Sequence, residues 1–315
     1  MKKHIQKPAI AIHGGAGTIR QHRMTPDKEK AYLKGLELAL EAGASLLLKG
    51  ESAMDAVEAA VRELEDYPMF NAGRGSVFTA AGSFEMDAAI MDGSNLSAGA
   101  VSGLKGVKNP ISLARQVPLK SHHVFLSGSG AYEFAKEVGA ELVDDSYFFD
   151  EYRHKQWLRV KGDSGVYLDH TEDLEENKKF GTVGAVACDV HGNVAAATST
   201  GGMTNKRYGR IGDSPIIGVG TYANNETCAV SCTGHGEPFI RAVAAYDLSC
   251  LMAYRGMTLA EAAHHLVMEK LPKLDAGGGL IAVDNQGNVA LPFNVEGMYR
   301  AYQKGTDEKV FAIYR

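Results

Sequence analysis

The chain has 315 residues, of which 45% are hydrophobic and 23% charged, with a formal net charge of -5. That balance suits a globular protein with a sizeable core, as one large α/β unit or two ordinary ones. It lacks the basic footprint of a nucleic-acid binder, and no apolar run is long enough to span a bilayer.

The basic start Met1-Lys2-Lys3-His4-Ile5-Gln6-Lys7-Pro8 leads only into a short apolar stretch, broken by His13-Gly14-Gly15. This is too short for a secretory signal core, so a cytoplasmic setting is expected. Pro8 to Ile12 reads as a buried first strand. Lys28 to Lys49 has helical apolar spacing, with Gly50 as its C-cap. Ser52, with Asp55 three residues on, N-caps a second helix over Ala53 to Asp66. Asn71-Ala72-Gly73-Arg74-Gly75 is a tight polar turn that leads into strand-like segments Ser76–Thr79 and Phe84–Met91. A loop and short helix are predicted over Ser102 to Val117, a short strand over Val124 to Leu126 and a short helix over Ala131 to Val138.

The character changes from Asp144 to Phe180. Asp169 to Lys179 is highly charged with almost no apolar period, which predicts a mobile, solvated linker. Strand material resumes abruptly at Thr182. Thr182–Cys188 and Val194–Thr198 form a hairpin across Asp189-Val190-His191-Gly192-Asn193, and the pattern recurs over Gly279 to Ala290. The two hairpins predict neighbouring elements of antiparallel sheet, with helices Glu237–Tyr254 and Leu259–Leu271 between them. Strand pairs alternating with helix pairs imply an α+β fold, helices layered over packed antiparallel sheets. The four cysteines, Cys188, Cys228, Cys232 and Cys250, lie in apolar stretches without metal-ligand spacing and read as buried free thiols.

The junction Phe180-Gly181-Thr182-Val183-Gly184 carries the chemistry. A threonine hydroxyl is a poor nucleophile unless a base sits beside it, and a threonine at a chain start carries that base in its own α-amine. The reference pKa of such an amine is about 7.7–8.0, so part of it is neutral near pH 7. The reaction then requires cleavage before Thr182. On its own a Thr-Val pair at a strand start is ordinary β-propensity. Its surroundings change the reading. Downstream come Thr198-Ser199-Thr200-Gly201-Gly202-Met203-Thr204-Asn205-Lys206, Gly209-Arg210-Ile211-Gly212-Asp213 and Ser231-Cys232-Thr233-Gly234-His235-Gly236-Glu237.

Together with His13-Gly14-Gly15-Ala16-Gly17, Phe70-Asn71-Ala72-Gly73-Arg74-Gly75 and Met86-Asp87-Ala88-Ala89, this ordered set resembles the plant-type L-asparaginase and isoaspartyl aminopeptidase family of N-terminal nucleophile hydrolases. The resemblance runs over nearly the whole chain. It implies a four-layer αββα sandwich that is cut autocatalytically into an α subunit, 1–181, and a β subunit, 182–315. The α subunit would end in a mobile linker over about 144–181, and the two would form one folded unit assembling as (αβ)2. The substrates implied are L-asparagine and β-aspartyl dipeptides, hydrolysed through a threonine acyl-enzyme.

Residue by residue, the resemblance makes Thr182 the nucleophile, freed by cutting after Gly181, and Thr200 its hydrogen-bond partner. The Thr233 hydroxyl and the Gly234 N–H would form the oxyanion hole. Arg210 would grip the substrate α-carboxylate, helped by the Gly236 N–H. Asp213 would take the α-ammonium, helped by the Gly234 carbonyl. Asn71 would support the nucleophile and the cleavage site. No cofactor is required; a structural Na⁺ on the backbone carbonyls of Leu64, Glu65, Tyr67, Phe70, Ala72 and Arg74 is implied. An α-amino acid head group needs one cationic and one anionic anchor, which Arg210 and Asp213 supply. His235, in the same loop, either touches the leaving group or points to solvent. A serine hydrolase is disfavoured because no G-x-S-x-G elbow follows His13-Gly14-Gly15. The adjacent pairs His122-His123 and His264-His265 lack metal-ligand spacing and read as structural. The rival activities are a glycosylasparaginase and an uncleaved, non-catalytic binder of aspartate-like ligands.

Overall fold

The structure, a computed structural model, describes residues 7–162 and 181–315. In chain order its elements are β1 (Ala9–Gly17), α1 (Pro26–Leu48), α2 (Ala53–Asp66), β2 (Met86–Asp92), β3 (Ala98–Leu104), α3 (Pro110–Lys120), β4 (Phe125–Ser127), α4 (Gly128–Glu137), α5 (Asp145–Phe148) and α6 (Glu151–Val160). There follow β5 (Val183–Cys188), β6 (Val194–Thr200), β7 (Thr221–Ala223), β8 (Cys228–Gly234), α7 (Gly236–Ala242), α8 (Ala244–Arg255), α9 (Leu259–His264), β9 (Gly278–Asp284), β10 (Val289–Ala290), β11 (Gly297–Lys304) and β12 (Val310–Tyr314).

Helices α1 and α2 begin where side chains cap them. Thr25 accepts from the Lys28 N–H ahead of Pro26, and Ser52 accepts from the Asp55 N–H. Gly50 ends α1 at φ +85°, a conformation open to glycine at no steric cost.

An eight-stranded sheet has the order β12-β11-β1-β5-β6-β2-β3-β4, and a four-stranded sheet the order β10-β9-β8-β7. Period-two alternation decides what each face touches. Ile10, Ile12, Ala185, Ala187, Ala195 and Ala197 pack in one core with α1, α2 and α3. Their neighbours Ala9, Ala11, Val186, Cys188, Val194 and Ala196 share a second core with the four-stranded sheet, α8 and α9. By the same alternation Thr182, Thr198 and Thr200 face the space between the sheets. Ser199 points the other way, to α2.

Several expectations change. Ser76–Thr79 is not a strand: the Val77 N–H is drawn to the Asn71 side chain. The two predicted hairpins are real but belong to different sheets, because turn chemistry sets local pairing and not sheet membership. Ser102 lies in β3, which pairs in parallel with β4, so the sheet is mixed and α3 is the crossover. The predicted helix Glu237–Tyr254 breaks at Val243, φ +49°, and the predicted helix Leu259–Leu271 is α9 plus a π-helical segment, His265–Lys270. The linker does not begin at 144. α5 and α6 occupy its first part, with Phe148 and Trp157 packed on Phe78, Phe84 and Met86, and Arg153 buried. Charge alone hid those aromatic anchors. The stretch 163–180 lies outside the described residues.

Glu65 of α2 fastens this layer together. Its Oε1 accepts from the Ile111 N–H at 2.9 Å, capping α3, and from Ser199 Oγ at 2.6 Å, behind the C-terminal end of β6. Burial pushes its carboxyl from the ordinary 4.5 up to about 8, against those hydrogen bonds. The unfolded chain loses this proton near 4.5 whereas the folded chain keeps it to about 8, so Glu65 makes stability fall as pH rises through that window. Glu65→Gln is expected to remove that fall, leaving the protein within about 1 kcal/mol of the parent near pH 5 and at least as stable near pH 8. Thermal unfolding across this range checks it.

Candidate active site

The loop Phe70–Gly75, the start of β5 and the end of β6 meet at residue 182. Thr182 is buried, and its Oγ1 donates to Thr200 Oγ1 at 3.2 Å. Thr200 Oγ1 in turn lies 3.1 Å from the Gly181 carbonyl oxygen, and it also accepts from the Gly202 N–H at 3.0 Å. The hydroxyl of Thr200 has one proton, so the order of donors is settled: Thr182 gives to Thr200, and Thr200 gives to Gly181. Asn71 Nδ2 donates to the same Gly181 oxygen at 2.9 Å and to the Gly202 carbonyl at 2.7 Å. The Asn71 amide is held in turn by the Val77 N–H, which donates to Oδ1 at 3.1 Å. Two donors thus converge on the carbonyl that joins Gly181 to Thr182.

Thr233 comes from the second sheet. β1 carries His13 opposite Gly184 of β5, and His13 Nε2 lies 2.9 Å from Ser231 Oγ of β8. Two residues along each strand lie Thr182 and Thr233. The Ala16 N–H, further along β1, donates to Thr233 Oγ1 at 3.2 Å, which leaves the Thr233 proton free to be given elsewhere. Thr182 and Thr233 therefore stand at the same end of two facing sheets, with Gly234 following.

The third group is the charged one. A methyl group added at Gly236 would lie 2.9 Å from Arg210 Nη2, 3.0 Å from the Asp213 backbone N and 3.1 Å from Asp213 Oδ1. The cationic and anionic side chains thus flank one small space that exists because residue 236 has no side chain. Asp213 is buried and its Oδ2 has no hydrogen-bond partner among the described residues, so the carboxylate has room for a donor from a ligand. Burial pushes its carboxyl up to about 7, with Arg210 pulling the other way. The Asp213 loop is tightly tied. Its carbonyl accepts from the Ile216 N–H, and Gly220 approaches that same oxygen so closely that an added Cβ would sit 2.5 Å away.

Three features here were missed from the sequence. A buried chain of polar side chains runs from His13 through Ser231 to Thr198 at 2.7 Å, to Thr221 at 2.7 Å and to the Ser214 carbonyl at 3.0 Å. Burial lowers the His13 imidazole to about 3, with the Thr182 backbone opposing, so the ring is neutral. Lys206 reaches under Gly202 to donate to the Glu85 carbonyl at 2.7 Å; burial lowers its ammonium, opposed by Asp87. Glu237 binds Arg210 and His235. Histidine, serine and threonine scattered over four strands leave no spacing to find; only the glycines beside them hinted at close contact.

The family model for asparaginases matches residues 6–313. The chain belongs to this asparaginase family. It is 53% identical over 310 residues to an isoaspartyl peptidase of Escherichia coli, covering 98% of this chain and 97% of that protein. It is 45% identical to a plant-type L-asparaginase of Pyrococcus abyssi, over 94% of this chain and 96% of the other. A human isoaspartyl peptidase/L-asparaginase is 44% identical, over 89% and 88% of the two chains.

Only an ionised Asp213 pairs with an ammonium group. Since its carboxyl stands near 7, affinity for L-aspartate should fall about tenfold per pH unit below that value. Asp213→Asn should bind more weakly and lose this acid limb. Calorimetric titration of both proteins across the range checks the prediction, and a limb that persists in Asp213→Asn overturns it.

Proposed function

We propose that the chain is an autoprocessed amidohydrolase that cleaves itself before Thr182 and then hydrolyses L-asparagine and β-aspartyl dipeptides through a Thr182 acyl-enzyme. The observation that carries this reading is the relay at the junction. The Thr182 hydroxyl donates to Thr200, and the Gly181 carbonyl receives both Thr200 and Asn71.

In the uncut chain, Thr182 Oγ1 attacks the Gly181 carbonyl carbon. Negative charge grows on the oxygen that Asn71 Nδ2 and Thr200 already contact, so the donors need no rearrangement. The C–N bond then breaks, the departing Thr182 nitrogen takes the proton lost by its hydroxyl, and water hydrolyses the resulting ester. This leaves a Gly181 carboxylate and a Thr182 with a free amine. The same hydroxyl is now flanked by its own base. For turnover it attacks the substrate's side-chain amide carbon and gives its proton to the amine, which passes it to the leaving nitrogen. Thr233, whose proton is uncommitted, and the Gly234 N–H receive the oxyanion. Ammonia or an amino acid departs, and water releases aspartate. Arg210 and Asp213 hold the α-carboxylate and α-ammonium, with the Gly236 N–H and Gly234 carbonyl assisting.

The remaining parts of the reading are the four-layer αββα arrangement, the assembly as (αβ)2 and a cytoplasmic setting. The core pattern on both faces of the large sheet supports the first. Four free cysteines agree with the last, and no helix among the described residues is long and apolar enough to cross a membrane. A structural Na⁺ in the loop after α2 is also part of the reading we propose. A Cβ at Gly75 would meet the Phe70 carbonyl oxygen at 1.9 Å and the Pro68 oxygen at 2.7 Å, and one at Gly73 the Glu65 oxygen at 2.6 Å. Backbone oxygens turned into a loop without Cβ atoms suit a hard cation. Leu64, Tyr67, Ala72 and Arg74 would complete the carbonyl set, and the ion would brace the loop that presents Asn71.

The test is Thr182→Ala. The parent protein should run as two fragments on a denaturing gel, divided between Gly181 and Thr182, and should hydrolyse β-Asp-Leu and L-asparagine. Thr182→Ala should remain one chain without turnover, and Asn71→Ala should slow cutting by about 10²–10³, the usual loss of an oxyanion donor. A parent that stays uncut and inactive would leave the binding protein as the correct reading.

A further inference from the structure

The Arg210 guanidinium already holds a carboxylate. Its Nε lies 2.9 Å from Glu237 Oε1 and its Nη2 2.9 Å from Glu237 Oε2, a two-point pairing along one edge of the planar group. His235 Nε2 contacts the same carboxylate at 3.1 Å. We propose that Glu237 is a positioning residue for substrate binding, holding Arg210 by its Nε edge so that the Nη1–Nη2 end faces the substrate's α-carboxylate. This rests on the head-group reading given above.

A guanidinium has two edges that can each engage a carboxylate, and Glu237 takes only one. Nη1 and Nη2 of the other edge border space that glycines leave open. A Cβ at Gly212 would lie 3.0 Å from Nη1, and one at Gly236 2.9 Å from Nη2. The pocket also has an internal hazard. Arg210 and Asp213 carry opposite charges and are three residues apart, so without another partner the guanidinium would swing onto the Asp213 carboxylate, whose Oδ2 has no partner among the described residues. Such a collapse would quench both anchors at once. Glu237, half-exposed at the pocket rim, gives Arg210 a partner on the far side and keeps the two anchors apart. Half-burial pushes its carboxyl up, but His235 and Arg210 together hold it well below the usual carboxylate range, so it stays charged wherever the enzyme works. Among the described residues, the charged and titratable groups facing Asp213 are Arg210 and His235, which favour its charge with Arg210 the stronger, Glu237, which opposes it, and Cys232.

The experiment measures L-aspartate binding to the purified protein by calorimetry as a function of pH, for the parent, Glu237→Gln, Glu237→Ala, Arg210→Gln and the Arg210→Gln/Glu237→Gln double variant. Loss of Glu237 should weaken binding at least about tenfold above pH 8. It should also move the acid limb of the binding curve to lower pH, because Arg210 then falls onto Asp213 and stabilises its charge. Removing the Glu237 charge lowers that limb by itself, so the weakening above pH 8, where Asp213 is ionised, and its disappearance on the Arg210→Gln background carry the assignment. On the Arg210→Gln background the Glu237 change should add less than about twofold, since the two act as a unit. Glu237 is half-exposed, and thermal unfolding of both single variants identifies any that fails to fold. If binding by the parent does not depend on Arg210, the head-group reading falls and this assignment with it. If it does depend on Arg210 but Glu237→Gln and Glu237→Ala bind as well as the parent or tighter, Glu237 is a bystander or a competitor of the substrate, and this assignment alone is overturned.

Discussion

Residue 184 has no room for even a methyl group: a Cβ there would sit 2.0 Å from Ser231 Oγ and 2.5 Å from His13 Nε2. That close approach joins the two sheets at the end that carries Thr182 and Thr233. With Gly184 in place, His13 reaches Ser231, and the hydroxyls of Ser231, Thr198 and Thr221 satisfy one another down to the Ser214 carbonyl. Each buried hydroxyl left alone would cost about 1–3 kcal/mol, whereas a closed chain orients its members. The chain ends beside two functional groups. Thr182 lies two residues before Gly184, and Asp213 directly precedes Ser214. The network also dictates a neutral His13, since a buried imidazolium with no facing carboxylate would disrupt it; burial holding that ring near 3 meets the requirement.

The proposed head-group pocket applies the opposite logic. Here a buried carboxylate is left short of partners, and the cost of desolvating Asp213 shows as a carboxyl raised to about 7. A ligand with an α-ammonium group supplies the missing counter-charge; one without it leaves the carboxylate buried and unpaired. Sites that hold such unmet polar groups discriminate more sharply than apolar pockets do. The strain is affordable because the backbone around it is fixed. The Ala245 and Tyr246 N–H groups at the start of α8 donate to the Val219 and Gly218 carbonyls, which pins the loop carrying Asp213 even though Val243 is thereby forced to φ +49°.

Much of the fold was legible where one physical signal acted alone. The caps at Ser52 and Gly50 bounded α1 and α2, and the turns after Cys188 and Asp284 marked both hairpins. Strands β3 and β8 were not read as strands, because runs such as Ala-Gly-Ala-Val-Ser-Gly-Leu are too small and glycine-rich to show β-propensity; they are small because the sheets pack closely. α6 was absorbed into a linker because charge masked Trp157. Of the expected site residues, the structure brings Asn71, Gly181, Thr182 and Thr200 together directly, gathers Arg210, Asp213 and Gly236 around one space, and sets Thr233 and Gly234 at the same end of the facing sheet. Glu237 escaped notice for a different reason. A glutamate in a helix's first turn has an ordinary explanation, and its pairing with Arg210 crosses 27 residues.

In the proposed mechanism, proton accounting links self-cleavage to turnover. Before the cut, the single proton of Thr200 is committed to the Gly181 carbonyl, and Thr200 accepts from Thr182. The Thr182 nitrogen is then an amide, with no basic lone pair to offer. Cutting reverses each condition. Gly181 becomes a separate carboxylate terminus, the Thr200 proton loses its obligatory acceptor, and the Thr182 nitrogen becomes a base adjacent to its own hydroxyl. On the proposed mechanism the first acyl group would be received by Asn71 and Thr200 and the second by Thr233 and Gly234, so one nucleophile would serve two oxyanion sites in succession. The Thr233 proton can remain uncommitted throughout because the Ala16 N–H satisfies its oxygen from behind. An uncut chain would therefore hold nearly every group that the proposed turnover requires, yet lack the base, and the bond that withholds it would be the first one the site breaks.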